Sequence, residues 1–156
     1  WESLKLENQI SFMENFNLDF SFTSYKLIDH LDNEIGFRKA QKFVNFDQLL
    51  NSCDIGLSTV VIKKEIFENQ NFRFAKTKTK EDYILWLKMS QNGVKMSGMN
   101  ECLASWRKTE NSLSSSTFQK LKDGYKVYNY YLKFNKFKSL YYLFKLSLNY
   151  MLKKIK

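Results

Sequence analysis

The hydrophobic positions in the first third of the chain follow two different periods. Between residues 2 and 14, apolar side chains recur among charged ones at the spacing of an amphipathic helix. Residues 18–24 instead alternate apolar and polar side chains, which predicts a strand. A polar stretch at 29–36 indicates a turn, and residues 46–52 predict a short helix for which Asn45 is a candidate N-cap.

Further along the chain the predicted elements continue to alternate in type. A β-branched run at 58–62 predicts a short buried strand. A polar loop is expected at 69–71, and the apolar spacing at 81–92 predicts a helix. Candidate strands follow at 94–99 and 102–106. Strands and helices mixed in this order predict an α/β domain.

The end of the chain is predicted to be helical and rich in aromatic residues and lysines. A polar loop at 111–116 precedes two predicted helices, near 118–134 and 137–154. The sequence therefore predicts an α/β body over residues 1–116, followed by an amphipathic helical hairpin over residues 117–156.

Composition indicates a globular protein, and its positive charge is concentrated in one segment. The 156 residues are 44% hydrophobic and 26% charged, which is typical of a domain with a real core. The net charge is +9, and residues 118–156 contain ten lysines and a single acid, Asp123. The body is therefore electrically neutral, and the excess charge belongs to the tail.

Few residues offer metal or redox chemistry. Cys53 and Cys102 lack Cys-x-x-Cys spacing and are expected to be reduced structural thiols. His30 has no second imidazole to complete a metal set and is expected in a surface loop. The five glycines are scattered and form no Gly-rich phosphate loop. The sequence therefore predicts no metal site within this chain.

The basic tail allows several interpretations. From residue 137 onward, apolar and aromatic residues form one broad helical face and lysines gather opposite it, which suits the surface of an anionic membrane. The same helices could instead pack on the body with their lysines solvated. Lysines interleaved with aromatic residues also suit single-stranded nucleic acid, although here they lie on predicted helices. A partner-binding module without catalysis is the remaining alternative.

The opening residues, Trp1-Glu-Ser-Leu-Lys-Leu-Glu-Asn-Gln9, resemble a segment of the family 2 glycosyltransferases. In that family an Asp-x-Asp-Asp-x-Trp motif leads into Trp-x-Pro-x-Lys-Leu-Glu-x-Gln, and here Ser3 takes the place of the proline. The resemblance implies that the metal-binding aspartates lie just upstream of Trp1. The chain is then expected to be a fragment, the acceptor-side half without the N-terminal nucleotide-binding half.

Further segments are similar to motifs of the same family and occur in the same order. They lie at residues 20–25, at 55–60 (Ile-Gly-Leu-Ser-Thr-Val), at 81–88 (Glu-Asp-Tyr-Ile-Leu-Trp-Leu-Lys), at 101–108 and at 111–114. The resemblance thus covers residues 1–116 and implies a partial GT-A domain, the nucleotide-diphospho-sugar transferase fold.

The resemblance also implies an activity. Such an enzyme transfers a sugar, with inversion, from a nucleotide-sugar donor to a hydroxyl of a lipid-linked or polysaccharide acceptor. Mg²⁺ or Mn²⁺ is expected for the complete enzyme but not for this fragment alone. The expected location is the cytoplasmic, inner face of the cell membrane, with residues 118–156 on the anionic surface and no nucleic-acid partner. Apolar surface is expected to be exposed where the missing half packs.

An acceptor hydroxyl is a poor nucleophile, so one carboxylate must take its proton. The family pattern assigns this role to Asp82, at the predicted start of a helix. Glu81 is expected to contact the donor sugar or acceptor hydroxyls. Acids in a first helical turn are also common simply because they favour the helix dipole, and this alternative applies to both residues.

Four more residues are candidates for substrate contacts. Trp86 could stack on a sugar ring, although a tryptophan at this place in a helix is more often part of the core. Arg107 could pair with phosphate oxygens, but Thr109 stands where the family commonly has a histidine. Ser58 and Thr59 could hydrogen-bond an acceptor or could simply favour a strand.

Overall fold

The computed structural model describes residues 1–69, 72–109 and 116–152. The predicted loops at 69–71 and 111–116 fall largely outside these ranges, and the motif at 111–114 falls outside them entirely. The elements are α1 (Lys5–Asn15), β1 (Phe20–Ile28), β2 (Glu34–Arg38), β3 (Phe43–Val44), α2 (Phe46–Asn51), β4 (Val61–Ile62), α3 (Lys64–Asn69), α4 (Glu81–Gln91), β5 (Met96–Arg107), α5 (Thr117–Lys126) and α6 (Lys136–Leu152).

The strands form one mixed sheet, as expected for an α/β domain. The order is β2-β1-β5-β3, and β4 pairs with β1 beside this path. β1 and β5 run parallel through nine residue pairs, from Phe20 opposite Met96 to Ile28 opposite Arg107. The other pairings, of β1 with β2 and β4 and of β3 with β5, are antiparallel. The long parallel pair is the centre of the sheet, and helices cover it.

Most predicted elements are present, but their bounds differ. The candidate strands at 94–99 and 102–106 are one strand, β5. The predicted turn at 29–36 is shorter, because the Asp29 carboxylate accepts the backbone N–H groups of Leu31 and Asn33 and closes it. The chain then returns as β2, which the polar pattern did not predict.

The prediction of a strand at 58–62 is wrong for the first half of this range. Residues Leu57–Thr59 form a 3₁₀ turn, and only Val61–Ile62 are extended and paired. The turn closes on Gly56, whose carbonyl oxygen accepts both the backbone N–H and the hydroxyl of Thr59. These local hydrogen bonds stabilise the turn and outweigh the preference of the sequence Ser-Thr-Val for a strand.

The residues of the opening motif have a structural role: their hydrogen bonds attach α1 to the sheet. The Lys5 ammonium donates to Gln9 Oε1 at 2.7 Å. Gln9 in turn donates to Ser21 Oγ at 2.9 Å and to the carbonyl oxygen of Thr59 at 3.0 Å. The Trp1 ring lies 4.2 Å from the Lys5 ammonium. Lys5 and Gln9 are both buried, so these polar residues belong to the interior.

The core lies between the sheet and the helices α2 and α4. Its buried members include Phe20, Phe22, Leu49, Leu50, Tyr83, Ile84, Leu85, Trp86, Leu87, Met89, Met96, Val127 and Tyr128. Helix α4 is buried around most of its circumference, as its nearly continuous apolar sequence requires.

The helical tail shares this core. Helix α5 continues as a π-helical turn at Val127–Tyr131, so the helix predicted at 118–134 changes type partway. Tyr128 is fully buried, its hydroxyl donates to the carbonyl oxygen of Leu50 at 2.8 Å, and its hydroxyl oxygen lies 3.0 Å from that of Tyr83. Asn149 of α6 donates to the carbonyl oxygen of Asn51. The tail therefore packs on the body, as one of the interpretations of the sequence held.

Candidate functional site

Helix α4 presents two acids at its N-terminus. Lys80 precedes the helix in the left-handed conformation, at φ 71°, and Glu81 and Asp82 occupy the first turn. Asp82 Oδ1 accepts the backbone N–H of Tyr83 at 2.7 Å. Both acids are half-buried. The prediction of a carboxylate pair opening a helix is therefore confirmed as a matter of structure.

Two anchors fix the position of this helix start. On one side, the Tyr83 hydroxyl donates to the carbonyl oxygen of Leu49 in α2 at 2.6 Å. On the other, the buried Asp123 carboxylate accepts the backbone N–H of Thr79 at 3.2 Å and its hydroxyl at 2.9 Å. Gln119 donates to the same carboxylate at 2.8 Å. The segment leading into Glu81 is thus held by the tail helix α5.

The environment of Asp82 favours a proton-accepting carboxylate. Burial raises the pKa of the Asp82 carboxyl above the usual aspartate range. The N–H of Tyr83 and the Lys80 ammonium oppose this rise, and the neighbouring charge of Glu81 adds to it. Asp82 is therefore a stronger base than a solvated aspartate, and its place in the first turn of a helix favours the ionised form.

Asp82 lies within electrostatic range of Tyr25 and Cys53, which the sequence analysis did not link to it, and Asp54 acts on the same two side chains. Burial raises the pKa of Tyr25 to about 12, and the charges of Asp54 and Asp82 contribute to the rise. Burial raises the pKa of Cys53 to about 12 as well, again with contributions from Asp82 and Asp54. We call Tyr25, Cys53, Asp54 and Asp82 the Asp82 cluster. It contains two acids and two groups that stay neutral near pH 7.

A surface cleft of about 430 Å³ adjoins this cluster. Asp54 belongs to both, whereas Asp82 does not line the cleft. The lining residues are Phe22, Gln41, Val44, Asn45, Asp47, Gln48, Asn51, Ser52, Asp54 and Ile55. They come from β1, from β3 and the segment before it, and from α2 and the segment after it.

Trp86 and Thr59 are not available to a substrate. The Trp86 side chain is 1% exposed and packs edge-on against Phe20 at 5.0 Å between ring centroids. No ring face remains for a sugar, so the expected stacking is wrong and the core interpretation holds. Thr59 is fully buried and its hydroxyl donates to Gly56. The expected acceptor contact of Thr59 is therefore also wrong.

Ser58 and Arg107 are exposed, but neither joins the Asp82 cluster in the described part of the chain. The carbonyl oxygen of Ser58 accepts the indole N–H of Trp1 at 2.7 Å. Arg107 donates to the carbonyl oxygen of Asp29 at 2.8 Å and pairs with the Asp32 carboxylate. Arg107 lies opposite Ile28, three residues beyond Tyr25, which is about 10 Å along a strand. Its guanidinium holds the β1–β2 turn.

The described residues do not fit a divalent cation. Within residues 1–69, 72–109 and 116–152, no three His, Cys, Asp or Glu side chains come together in a group that could hold a metal ion. Cys53 and Cys102 are both free thiols.

The sequence is similar to known transferases, although no protein family model matches it. It is 33% identical over 129 residues to the putative teichuronic acid biosynthesis glycosyltransferase TuaG of Bacillus subtilis (strain 168). This match covers 82% of this chain and 50% of TuaG. It is 31% identical over 157 residues to the UDP-Glc:alpha-D-GlcNAc-diphosphoundecaprenol beta-1,3-glucosyltransferase WfgD of Escherichia coli. This match covers 100% of this chain and 58% of WfgD. The chain thus spans about half the length of the curated relatives it matches.

The fold is similar to that of a solved structure. Residues 1–349 of S. aureus TarS, crystallised in complex with UDP-GlcNAc, superimpose with a TM-score of 0.59 over 90% of this chain and 42% of the TarS chain. The two sequences are 15% identical, so this likeness establishes a shared fold.

Proposed function

The chain belongs to the family 2 glycosyltransferases, and on that premise we propose that it is the acceptor-side half of an inverting enzyme. The complete protein transfers a sugar from a nucleotide-sugar donor to a hydroxyl of a lipid-linked or polysaccharide acceptor. WfgD is named for a UDP-glucose donor and a diphosphoundecaprenol-linked acceptor, and these two classes of substrate are the ones we assign here.

The observation that carries this proposal is the half-buried Asp82 carboxylate at the start of α4. Sugar transfer to an alcohol requires a base that removes the hydroxyl proton as the bond to the anomeric carbon forms. Asp82 is rigidly placed by Tyr83 and Thr79, and its pKa is raised by burial. We assign it the role of base, and we assign Glu81 a contact to substrate hydroxyls.

The donor and its cation belong, in this proposal, to the half of the enzyme that this chain does not span. A divalent cation, Mg²⁺ or Mn²⁺, supplies charge neutralisation of the donor diphosphate in such an enzyme. The described residues offer no cluster for it, and no step assigned to this chain depends on it. Ser58 and Arg107 are exposed and remain candidates only for contacts that the donor-binding half completes.

Helix α1 offers a surface on which that half could pack. Several large apolar side chains of the N-terminal segment are about half exposed or more: Trp1, Leu4, Leu6, Ile10 and Phe16. Exposed apolar surface of this extent is typical of a docking face. We therefore propose that the donor-binding half covers the outer face of α1.

Helix α6 offers a second apolar surface, which we assign to the membrane. Its exposed side chains include Phe137, Leu140, Tyr141, Phe144, Leu148, Met151 and Leu152. Lys138 and Lys145 flank this face, and their ammonium groups lie over aromatic rings. Among the described residues, no helix has both the length and the apolar character needed to cross a bilayer. The proposed location is peripheral, at the inner face of the cell membrane where a lipid-linked acceptor resides.

A transfer assay tests this function. The complete protein that contains this chain is incubated with UDP-glucose or UDP-GlcNAc and with GlcNAc-diphosphoundecaprenol, and lipid-linked disaccharide is separated from free sugar. The proposal predicts release of UDP that depends on the acceptor and yields a β-linked product. The absence of acceptor-dependent product with both donors would contradict it.

A further inference from the structure

The cleft between β3 and α2 has the lining of a carbohydrate site and plays no part in the chemistry assigned above. We propose that it binds an uncharged sugar ring of the acceptor and so positions the reacting hydroxyl near Asp82. This inference rests on the proposed function, whose acceptor is a glycan.

The lining offers both donors and acceptors beside an apolar wall. The side-chain oxygens of Asn45 and Gln48 each accept the other's backbone N–H at 2.9 Å, in a capping box at the start of α2. Because their oxygens already accept these bonds, the amide NH₂ groups are the hydrogen-bond donors that these two side chains can offer to a ligand. Val44 and Ile55 supply apolar surface. A sugar hydroxyl both donates and accepts, so it needs such a mixed lining.

The charge of the cleft favours an uncharged ligand. Asp47 and Asp54 line it, and no lysine, arginine or histidine is among its lining residues. A diphosphate or a uronate would meet the negative charge of Asp47, and this repulsion costs binding free energy. The cleft is therefore unsuited to the nucleotide-sugar donor and suited to a neutral sugar.

One wall of the cleft is closely packed against β5, and another is connected to the start of α4, where the proposed base lies. A Cβ at Gly98 of β5 would collide with the carbonyl oxygen of Gln41, so the glycine permits the close crossing that places Gln41 at the rim. Helix α2, which supplies Asp47, Gln48 and Asn51 to the cleft, accepts the hydroxyl of Tyr83, the neighbour of Asp82, at the carbonyl oxygen of Leu49 at 2.6 Å. A sugar in the cleft is thus adjacent to the Asp82 cluster.

A methyl NMR titration locates the binding. The complete protein is labelled at valine and isoleucine methyl groups and titrated with methyl β-D-glucopyranoside or with methyl β-D-glucopyranosiduronate, its negatively charged counterpart. We expect the neutral glycoside to shift the methyl signals of Val44 and Ile55 and to leave that of Ile35, on β2, unchanged. The dissociation constant obtained with the uronide is expected to be about tenfold higher, since like charges oppose its binding.

Two matched variants test the role of charge. Asp47 and Glu65 both occupy the first turn of a six-residue helix, but only Asp47 lines the cleft. Asp47→Asn is expected to remove most of the tenfold discrimination against the uronide, whereas Glu65→Gln is expected to preserve it. Equal shifts by both glycosides in the unmodified protein, or no effect of Asp47→Asn on their ratio, would overturn the inference.

The two proposals fail separately. If the complete protein transfers sugar but the Val44 and Ile55 signals do not move, the sugar site is wrong and the function stands. If those signals move but no sugar is transferred, the function is wrong and the carbohydrate site stands.

Discussion

At the scale of single residues, the account depends on the proton affinity of Asp82. Its carboxyl is half-buried, and the two residues before it, Lys80 and Glu81, have opposite effects on its pKa. A base must be ionised to act, so activity requires a pH above the pKa of this carboxyl. Because burial raises that pKa, the loss of activity in acid occurs at a higher pH than an ordinary aspartate would give.

Charge substitutions beside Asp82 should therefore move the acid limb of the kcat profile in opposite directions. Glu81→Gln removes a negative neighbour and is expected to shift the limb to lower pH. Lys80→Gln removes a positive neighbour and is expected to shift it to higher pH. The measurement is kcat against pH at saturating substrates for the three proteins. Shifts in the same direction, or none, would contradict the assignment of this limb to Asp82.

The sequence identified Asp82 but not the residues around it. Glu81 and Asp82 belong to a local motif whose order along the chain is visible. Tyr25 and Cys53 come within electrostatic range of Asp82 only because β1, the segment after α2 and the start of α4 meet in the fold, and no spacing in the sequence indicates this. Trp86 shows the converse, since its place in the motif is visible while its direction into the core is set by packing against Phe20.

At the scale of elements, the fold follows the sequence where local signals are strong. Asn45 caps α2 as its residue type suggests, and Gln48 completes the box. Helix α4 has nearly its predicted bounds, because a continuous apolar run makes burial unavoidable. The strand predicted at 58–62 is mostly a turn, because hydrogen bonds to Gly56 outweigh β propensity there. Here local hydrogen bonds decide between turn and strand.

The link between α5 and the start of α4 is an element-scale contact that yields a stability prediction. Thr79→Val removes the hydroxyl that donates to the buried Asp123 carboxylate. We expect a loss of about 1.5–3 kcal/mol in the free energy of unfolding at neutral pH, the usual contribution of a hydrogen bond to a charged group. Urea unfolding measures it, and Thr79→Ser should restore most of the loss.

Thr77→Val is the matched control for this prediction. The Thr77 hydroxyl is buried without a hydrogen-bond partner in the described structure, so its removal should leave stability unchanged or higher. The Thr79 effect should also depend on pH. Hydrogen bonds from Gln119 and Thr79 lower the pKa of Asp123 against the opposing effect of burial, so its stabilisation is lost as the pH falls through that lowered pKa. Equal destabilisation by both valine variants would contradict this account.

At the scale of the whole molecule, the described residues form one packed body that exposes apolar side chains on α1 and on α6, among other places. The tail was predicted as an appended hairpin that could pack on the body, and Val127 and Tyr128 are fully buried in the common core. Packing on the body and contact with a membrane are compatible, because the buried and exposed residues of the tail lie on different faces. Sequence periodicity indicates that a helix is amphipathic but does not identify which partner covers it.

The proposed membrane face predicts selective vesicle binding. Phe137→Ser combined with Phe144→Ser removes two of its most exposed aromatic side chains. We expect affinity for phosphatidylglycerol vesicles to fall by at least tenfold, since burying each phenylalanine contributes about 1.5–3 kcal/mol. Phe74→Ser, an exposed phenylalanine outside the tail, is the control. Equal vesicle binding by all three proteins, or salt-sensitive retention on single-stranded nucleic acid instead, would contradict the membrane assignment.

The central claim, that Asp82 removes the proton from the acceptor, is tested most directly by single-turnover transfer in the complete protein. With donor bound and acceptor saturating, Asp82→Asn is predicted to slow sugar transfer by about 10²–10⁴-fold without a change in donor affinity. Asp54→Asn, whose side chain lines the cleft, is predicted to weaken acceptor binding and to recover its rate at saturating acceptor. Transfer by Asp82→Asn at the unmodified rate would contradict the account.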